Sequence, residues 1–485
     1  MSKARTFGEA ALDAGVVVSP SRKCPSPLAV FRALRSLEQP FILGGAPCPG
    51  HRYSTVGAAP FMRLTLPVNG KTVELKNAPE GLQKILKGEE NSALFQTLST
   101  IMKYLRTTGK AGPFPFNGGA AGFFSYDLKD SLFKLPPVRP EKDKKGLGLP
   151  LASLGFYDNI YVYDHSVDKG YIVSRSPEEK SSKDFFDCIE DAANCDKMDR
   201  PPVYNMATPL TSNTTKEEYI RNLQRAKEYI AAGDIYQINL SQRLSAPYSG
   251  DAFSLYEGLI RENPTPFSSF FDFHGFQILS NSPERLLKVS GQSIETCPIK
   301  GTRPRGATAV EDALNKKELA ENIKERAEHV MIVDLERNDL GRVAIPGTVR
   351  VENFQEIKSF SKVHHMISTV RGRAPGHTDP FMILKDIFPG GSITGAPKIR
   401  AMEIIDELES VPREVYTGAL GFMDYTGDMD LSITIRTAII KDSRLNLHVG
   451  GGIVADSIPE AEYDETILKA MDFLSLLGVT PGELS

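Results

Sequence analysis

The sequence predicts an α+β protein: two packed, largely antiparallel β-sheets with helices outside. Three observations predict this. Strand-like runs are joined mostly by short turns, the connection that antiparallel pairing permits. The helical stretches are long and do not alternate one-for-one with strands. No G-x-G-x-x-G turn opens a helix, so a doubly wound nucleotide-binding sheet is not indicated.

Taken in order, Pro27 to Leu37 reads as a helix and Pro40 to Leu43 as a strand. Gly44 to Gly50 is a Gly/Pro loop before a strand from Arg52 to Ala58. Phe61 to Leu66 and Lys71 to Leu75 flank Asn69-Gly70, a hairpin signal. Asn91 to Leu105 is helical. The glycine cluster from Asn117 to Asp127 predicts backbone packed tightly on a neighbour. Pro136 to Pro150 is a loop. Ser153 to Tyr163 and Lys169 to Ser174 alternate as paired strands, and a helix is expected near Asp184 to Ala193. The run Arg200-Pro201-Pro202 separates an N-terminal region, 1–204, from a second region, 205–485.

In the second region Thr215 and Glu218 form a capping box for a helix closed by Gly233. A strand follows from Ile235 to Leu244. Hairpins turn at His274-Gly275 and at Ser290-Gly291-Gln292. Ala309 to about Asn338 is one long helix, or two with a break. Val349 to Phe354, Tyr416 to Tyr425, Ser432 to Lys441 and Arg444 to Val449 read as strands around a helix at Lys398 to Glu409. A final helix runs from about Pro459 to Leu477.

Composition narrows the classes. The chain has 485 residues, 41% hydrophobic and 24% charged, with net charge −4. Mixed charges of this kind give no electrostatic case for nucleic acid or a membrane surface as partner. No apolar run reaches the roughly 18 residues that span a bilayer. Cys24, Cys48, Cys188, Cys195 and Cys297 are scattered and odd in number, which indicates neither a disulfide framework nor a zinc site. A cytoplasmic protein is expected.

Several residues could carry chemistry. Lys300 sits between a strand end and Gly301, so it is a solvated charge, an anion anchor or a nucleophilic amine. Glu325 and Glu328 lie three apart on one helix face, as do Glu462 and Glu465 on another. Together the pairs could hold one hard cation such as Mg²⁺; apart they are solvated surface. The run Phe388 to Lys398 fails the P-loop pattern, because Gly395-Ala-Pro-Lys398 stands where G-K-[ST] is required. It still places Thr394 and backbone N–H groups at a helix start, an anion site. Gly450, Gly451 and Gly452 let backbone approach a ligand closely. Arg436, read as part of an alternating strand, demands an acidic partner if buried. His365 is a proton shuttle or a structural histidine. As a set these residues describe a site for a small dicarboxylic acid.

The stretches Gly233-Asp-Ile-Tyr-Gln-Ile-Asn-Leu-Ser241, Ser282-Pro-Glu-Arg285, Pro298-Ile-Lys-Gly-Thr302, Arg326 to Asp339, Phe388 to Lys398, Ser432 to Arg436 and Gly450 to Ser457 closely resemble the chorismate-utilising enzymes. The resemblance runs from about Lys216 to Leu477. The N-terminal region is more loosely similar, through Arg52-Tyr-Ser54 and Gly118-Gly119 to Tyr126-Asp127. It implies the fold of the anthranilate synthase large subunits. It also implies Mg²⁺ held by Glu328 and Glu465 with Glu325 and Glu462 in support. Gln237, Thr302, Thr394, Arg436 and the Gly450 to Gly452 backbone would bind chorismate.

Two positions set the chemistry within the family. Members that add water carry a lysine where this chain has Gln237, so hydroxylation is disfavoured. Members that make anthranilate carry alanine where this chain has Lys300, and those that make 4-amino-4-deoxychorismate carry lysine. The resemblance thus implies attack of Lys300 on C2 of chorismate, with Glu284 assisting departure of the C4 hydroxyl. Ammonia then adds at C4, toward para-aminobenzoate and folate. Anthranilate formation is the alternative. Cys48 lies between two prolines and does not make a glutaminase elbow, so a separate glutamine amidotransferase subunit is the expected ammonia source. Tryptophan-sensitive relatives carry Leu-Leu-Glu-Ser where this chain has Ile42-Leu43-Gly44-Gly45. No tryptophan feedback is expected.

Overall fold

The computed structural model describes residues 10–12, 16–21, 24–87, 93–106, 112–133, 135, 146–175, 180–195, 210–376 and 378–479. Most of the expected Pro136 to Pro150 loop and the boundary at 204/205 lie outside them. Among the described residues the strands form a 13-stranded and an 11-stranded sheet, and every pairing is antiparallel. The two sheets face each other across an aromatic layer. Phe41, Phe271 and Ile278 from the larger sheet meet Ala121, Phe123 and Leu420 from the smaller.

Both halves of the chain build both sheets. Phe41–Leu43 pairs with Phe267–Asp272, and Gly119–Phe124 pairs with Ala419–Asp424. The 204/205 boundary therefore divides the chain without dividing either sheet. The glycine cluster packs as its composition demands. A Cβ on Gly119 would lie 2.1 Å from the Met423 carbonyl oxygen, and one on Gly122 would lie 2.0 Å from that of Ser153.

Helices cover the outer faces. Leu94–Leu105 buries Leu94, Phe95, Leu98, Ile101 and Met102, one stripe at helical spacing. The Thr215–Glu218 capping box forms, with both reciprocal bonds. The long helical stretch breaks at Asn322, whose side chain accepts from Glu325 N and starts Ile323–Gly341 after Ala309–Glu321 ends.

Some elements differ from expectation. Ser153 to Tyr163 is two strands, Ala152–Tyr157 and Asn159–Asp164. Ser432 to Lys441 is also two, Met429–Ile433 and Thr437–Lys441, with Arg436 in the break at φ 48°. Helices Glu80–Leu86, Ala252–Glu262 and Pro380–Ile387 and the strand Val363–Arg373 were not expected. Val363–Arg373 is buried from His364 to Val370 and pairs with three strands, so it lacks the polar alternation that marks a half-exposed strand.

Candidate active site

One cavity of about 710 Å³ opens where the Ile323–Gly341 and Pro459–Leu476 helices approach the ends of the sheets. Lys300 enters it from the strand Ile299–Pro304. The register against Val363–Arg373 shifts between Ile299 and Thr302, and Gly301 takes φ 86° there. That irregularity turns the lysine inward, and the positive φ favours glycine. Lys300 Nζ lies 2.7 Å from Glu328 Oε2. Burial pulls the Lys300 pKa down, but Glu328, Glu465 and Glu325 outweigh it and hold the ammonium charged above its ordinary value.

The two glutamate pairs do face one cavity. Their present partners are protein groups. Glu328 also meets Lys324 Nζ at 3.7 Å, Glu325 meets Arg303 at 3.2 Å, and Glu465 meets Lys469 at 2.8 Å. Ser457 Oγ donates to Glu462 Oε1 at 2.6 Å, and the last helix starts from Ile458 without a side-chain cap. Burial raises the Glu462 pKa, and Lys469 lowers that of Glu465. Among the described residues no three such groups converge into a preformed metal site.

Glu284 is buried, and Ser392 Oγ donates to its Oε1 at 2.9 Å. Burial pushes its carboxyl up to about 7. A carboxyl protonated at neutral pH is equipped to act as an acid. His365 shares a hydrogen bond between Nδ1 and Thr302 Oγ1 at 2.8 Å. Burial, then Arg436, lower its pKa to about 3, so it is a neutral imidazole. Arg436 lines the cavity from the strand break, and its guanidinium is 3.6 Å from Asp472, a loose partner that leaves hydrogen-bonding capacity for an anion.

Gln237, Gly450 and Gly452 line the same cavity. A Cβ on Gly452 would lie 3.3 Å from Gln237 Nε2 and 3.7 Å from Lys300 Nζ, so the missing side chain keeps that approach open. Gly451 instead lies toward Glu462 and Lys469.

The loop before Lys398 differs most from its sequence reading. Thr394 is fully buried, and its hydroxyl donates to the carbonyls of Gly390 and Gly391. Ser392 N donates to Glu336 at 3.2 Å, and Asp339 accepts from the Gly391 backbone. The expected anion site is thus occupied by the protein's own carboxylates. Pro397 is the N-cap, outside the first turn. Lys398 is buried and donates to Asp339 Oδ2 and to the carbonyls of Ile387 and Pro389. It is a structural clamp.

Sequence reasoning missed other lining groups. Lys469 is one helical turn beyond Glu465, a pairing that i,i+4 spacing could have flagged. Asn239 and His448 were missed because each sits two positions from a residue already marked, Gln237 or Gly450, on paired strands. Gln237 Oε1, Asn239 Oδ1 and His448 Nε2 are buried with no hydrogen-bond partner among the described protein groups. Each such atom costs about 1–3 kcal/mol when left without a partner.

Paired carboxylates, an arginine and glycine backbone thus line one cavity. The chorismate binding enzyme family matches residues 71–475, and the chain belongs to that family. Anthranilate synthase component 1 of Acetivibrio thermocellus is 39% identical over 441 residues, covering 88% of this chain and 87% of the relative. Aminodeoxychorismate synthase component 1 of Klebsiella aerogenes is 42% identical over 365 residues, covering 75% and 78%. Among solved structures, anthranilate synthase component I from Streptococcus pneumoniae superposes with TM-score 0.72 at 30% identity, covering 87% of this chain and 92% of that one.

Proposed function

We propose that this chain aminates chorismate at C4 and yields 4-amino-4-deoxychorismate. The observation that carries this is Lys300, whose amine stands in the cavity beside Gly452 and Gln237. A neutral Lys300 amine attacks C2. The ring double bonds shift and the C4–O bond breaks, with Glu284 giving its proton so that water departs. Ammonia forms a bond to C4, the double bonds shift back, and the C2–N bond to Lys300 breaks. Lys300 leaves as the free amine, and the proton lost by the incoming nitrogen returns to Glu284. His365 and Thr302 support proton movement at this wall, and Arg436 holds a substrate carboxylate.

Oxygen donors on two helices suit a hard cation together with substrate and water. We assign Mg²⁺ to Glu328 and Glu465, with Glu325 and Glu462 in support. When bound, the ion would neutralise a substrate carboxylate and compete with Lys300 and Lys469 for their glutamates.

The name component 1, carried by both kinds of relative, supports a separate ammonia-supplying subunit. Anthranilate formation is the second reading, favoured by the longer match to the Acetivibrio thermocellus relative. The test is product analysis with chorismate, Mg²⁺ and an ammonium salt. Aminodeoxychorismate that releases pyruvate only after a lyase is added supports the C4 reading. Fluorescent anthranilate with direct pyruvate release overturns it.

A further inference from the structure

Ser392 touches two buried carboxyls at once. Its hydroxyl donates to Glu284 Oε1 at 2.9 Å, and its backbone N–H donates to Glu336 Oε1 at 3.2 Å. Glu284 stands between the strands Phe276–Ser282 and Arg285–Ser290, and Ser392 sits in the short helical turn Gly391–Ile393. Glu336 comes from the helix Ile323–Gly341 and is 5% exposed. It does not line the cavity that holds Lys300. The turn lies directly on that helix. A Cβ on Gly391 would sit 2.5 Å from Leu335 Cγ and 3.1 Å from Asp339 Oδ2. Thr394 and Asp339 bond to the glycines of the turn, whereas Glu336 takes the N–H of Ser392 itself.

The surroundings decide what Glu336 offers. Three buried carboxyls, Glu284, Glu336 and Asp339, share this region with the ammonium of Lys398. Asp339 already pairs with Lys398 at 2.8 Å and also feels Arg342. Burial, then Asp339, push the Glu336 carboxyl up, and Lys398 only partly offsets them. Glu336 is thus biased toward its neutral form, and it meets Ser392 as a hydrogen-bond acceptor more than as a charge. On the cavity side Lys300 and Lys469 face Glu284 and favour its anion, as the Ser392 hydroxyl does. A bond to the carboxylate steadies the anion left once Glu284 has given up its proton. The hydroxyl makes that bond only while the turn keeps its orientation.

We propose that Glu336 is a positioning residue for Glu284: by taking the Ser392 N–H it holds the turn in the orientation that aims the Ser392 hydroxyl at the acid. This rests on the amination reading, in which Glu284 protonates the departing C4 hydroxyl. It adds a residue behind the cavity wall that tunes the acid. Glu336 acts through Ser392 alone, so it governs proton transfer without meeting chorismate.

The test is the pH dependence of kcat/KM for the full-length chain with chorismate, Mg²⁺ and an ammonium salt. The wild-type rate should fall above about pH 7. Glu336→Leu should move that fall up by about one pH unit, the scale of one hydrogen bond to a carboxylate. KM for chorismate should stay within about twofold. Ser392→Ala should give the same shift, and the double variant should show no further one, because both substitutions break a single chain of contacts. Glu336→Gln keeps the acceptor and should return the wild-type fall. Glu336→Ala serves if the leucine variant fails to fold. An unmoved fall in the leucine and alanine variants, or additive shifts in the double variant, overturns the positioning role. A glutamine variant that shifts as far as leucine also overturns it, because charge and not the acceptor would then be at work. A wild-type rate with no fall above pH 7 would overturn Glu284 as the acid, and its positioning with it. Anthranilate as product would overturn C4 attack and leave this measurement valid, because anthranilate formation also loses the C4 hydroxyl.

Discussion

Lys300 Nζ and Glu328 Oε2 stand 2.7 Å apart, an ion pair between the proposed nucleophile and a proposed metal ligand. One carboxylate therefore faces two claims. While it pairs with Lys300, the amine stays protonated and cannot attack. Lys300→Ala is expected to lower aminodeoxychorismate formation about a hundredfold or more, with some 2-amination admitted by the space released. Chromatography of the products checks this, and wild-type rate and product would remove the covalent role. Mass spectrometry after trapping with chorismate should place an adduct on Lys300.

The same pair makes Mg²⁺ dependence informative. Glu328→Gln keeps the side-chain shape and removes the charge that suits a hard cation. Calorimetry should show Mg²⁺ strengthening chorismate binding to the wild type and about 10–100-fold weaker coupling in the variant. Equal coupling in both would take Glu328 out of the metal site.

Glu284 predicts a pH profile. Its folded pKa of about 7 means that the acid form persists to neutrality and is lost as pH rises further. An acid that must be protonated gives a rate that falls above about pH 7. Glu284→Gln cannot donate a proton, so the rate should drop about 10²–10⁴-fold and that descending limb should vanish. A variant retaining the limb would assign it to another group. Ser392→Ala removes the hydroxyl bonded to Glu284 and should raise the apparent pKa, because a bond to the carboxylate favours the ionised form.

The fold class was legible because turn chemistry is local. Asn69-Gly70 and His274-Gly275 both sit in antiparallel connections. The convergence of Glu325, Glu328, Glu462 and Glu465 on one cavity was not legible from spacing, which marks a helix face and not what the face meets. The family resemblance supplied that link. Lys398 shows the reverse failure: its loop looked like an anion site, and only packing reveals that Glu336 and Asp339 already fill it. Asn239 and His448 left no composition signal, because their place in the cavity depends on strand register.

Lys398 carries a stability prediction. Its ammonium is nearly fully buried against Asp339, which is itself 2% exposed. Lys398→Met would leave a buried carboxylate without its partner, at a cost of about 3–5 kcal/mol. Denaturant unfolding should show this loss. A phosphate-binding lysine would instead lose ligand affinity with little change in stability, so an unchanged midpoint would contradict the clamp.

Gly44 predicts the response to tryptophan. It ends the strand Phe41–Leu43 at φ 85°, and a Cβ there would lie 2.7 Å from Ser54 Oγ and 2.9 Å from His51 Nε2. Ser54 Oγ also accepts from Gly45 N at 2.7 Å and shares a hydrogen bond with His165 Nε2 at 2.7 Å. The protein's own side chains thus fill the space next to the position where tryptophan-sensitive relatives carry glutamate. Tryptophan should leave both rate and melting temperature unchanged in activity and thermal-shift assays. Gly44→Glu should not install feedback. Its clash and positive φ should instead destabilise the protein by about 1–3 kcal/mol. Tight tryptophan binding that lowers the wild-type rate would show that His51 and Ser54 move aside.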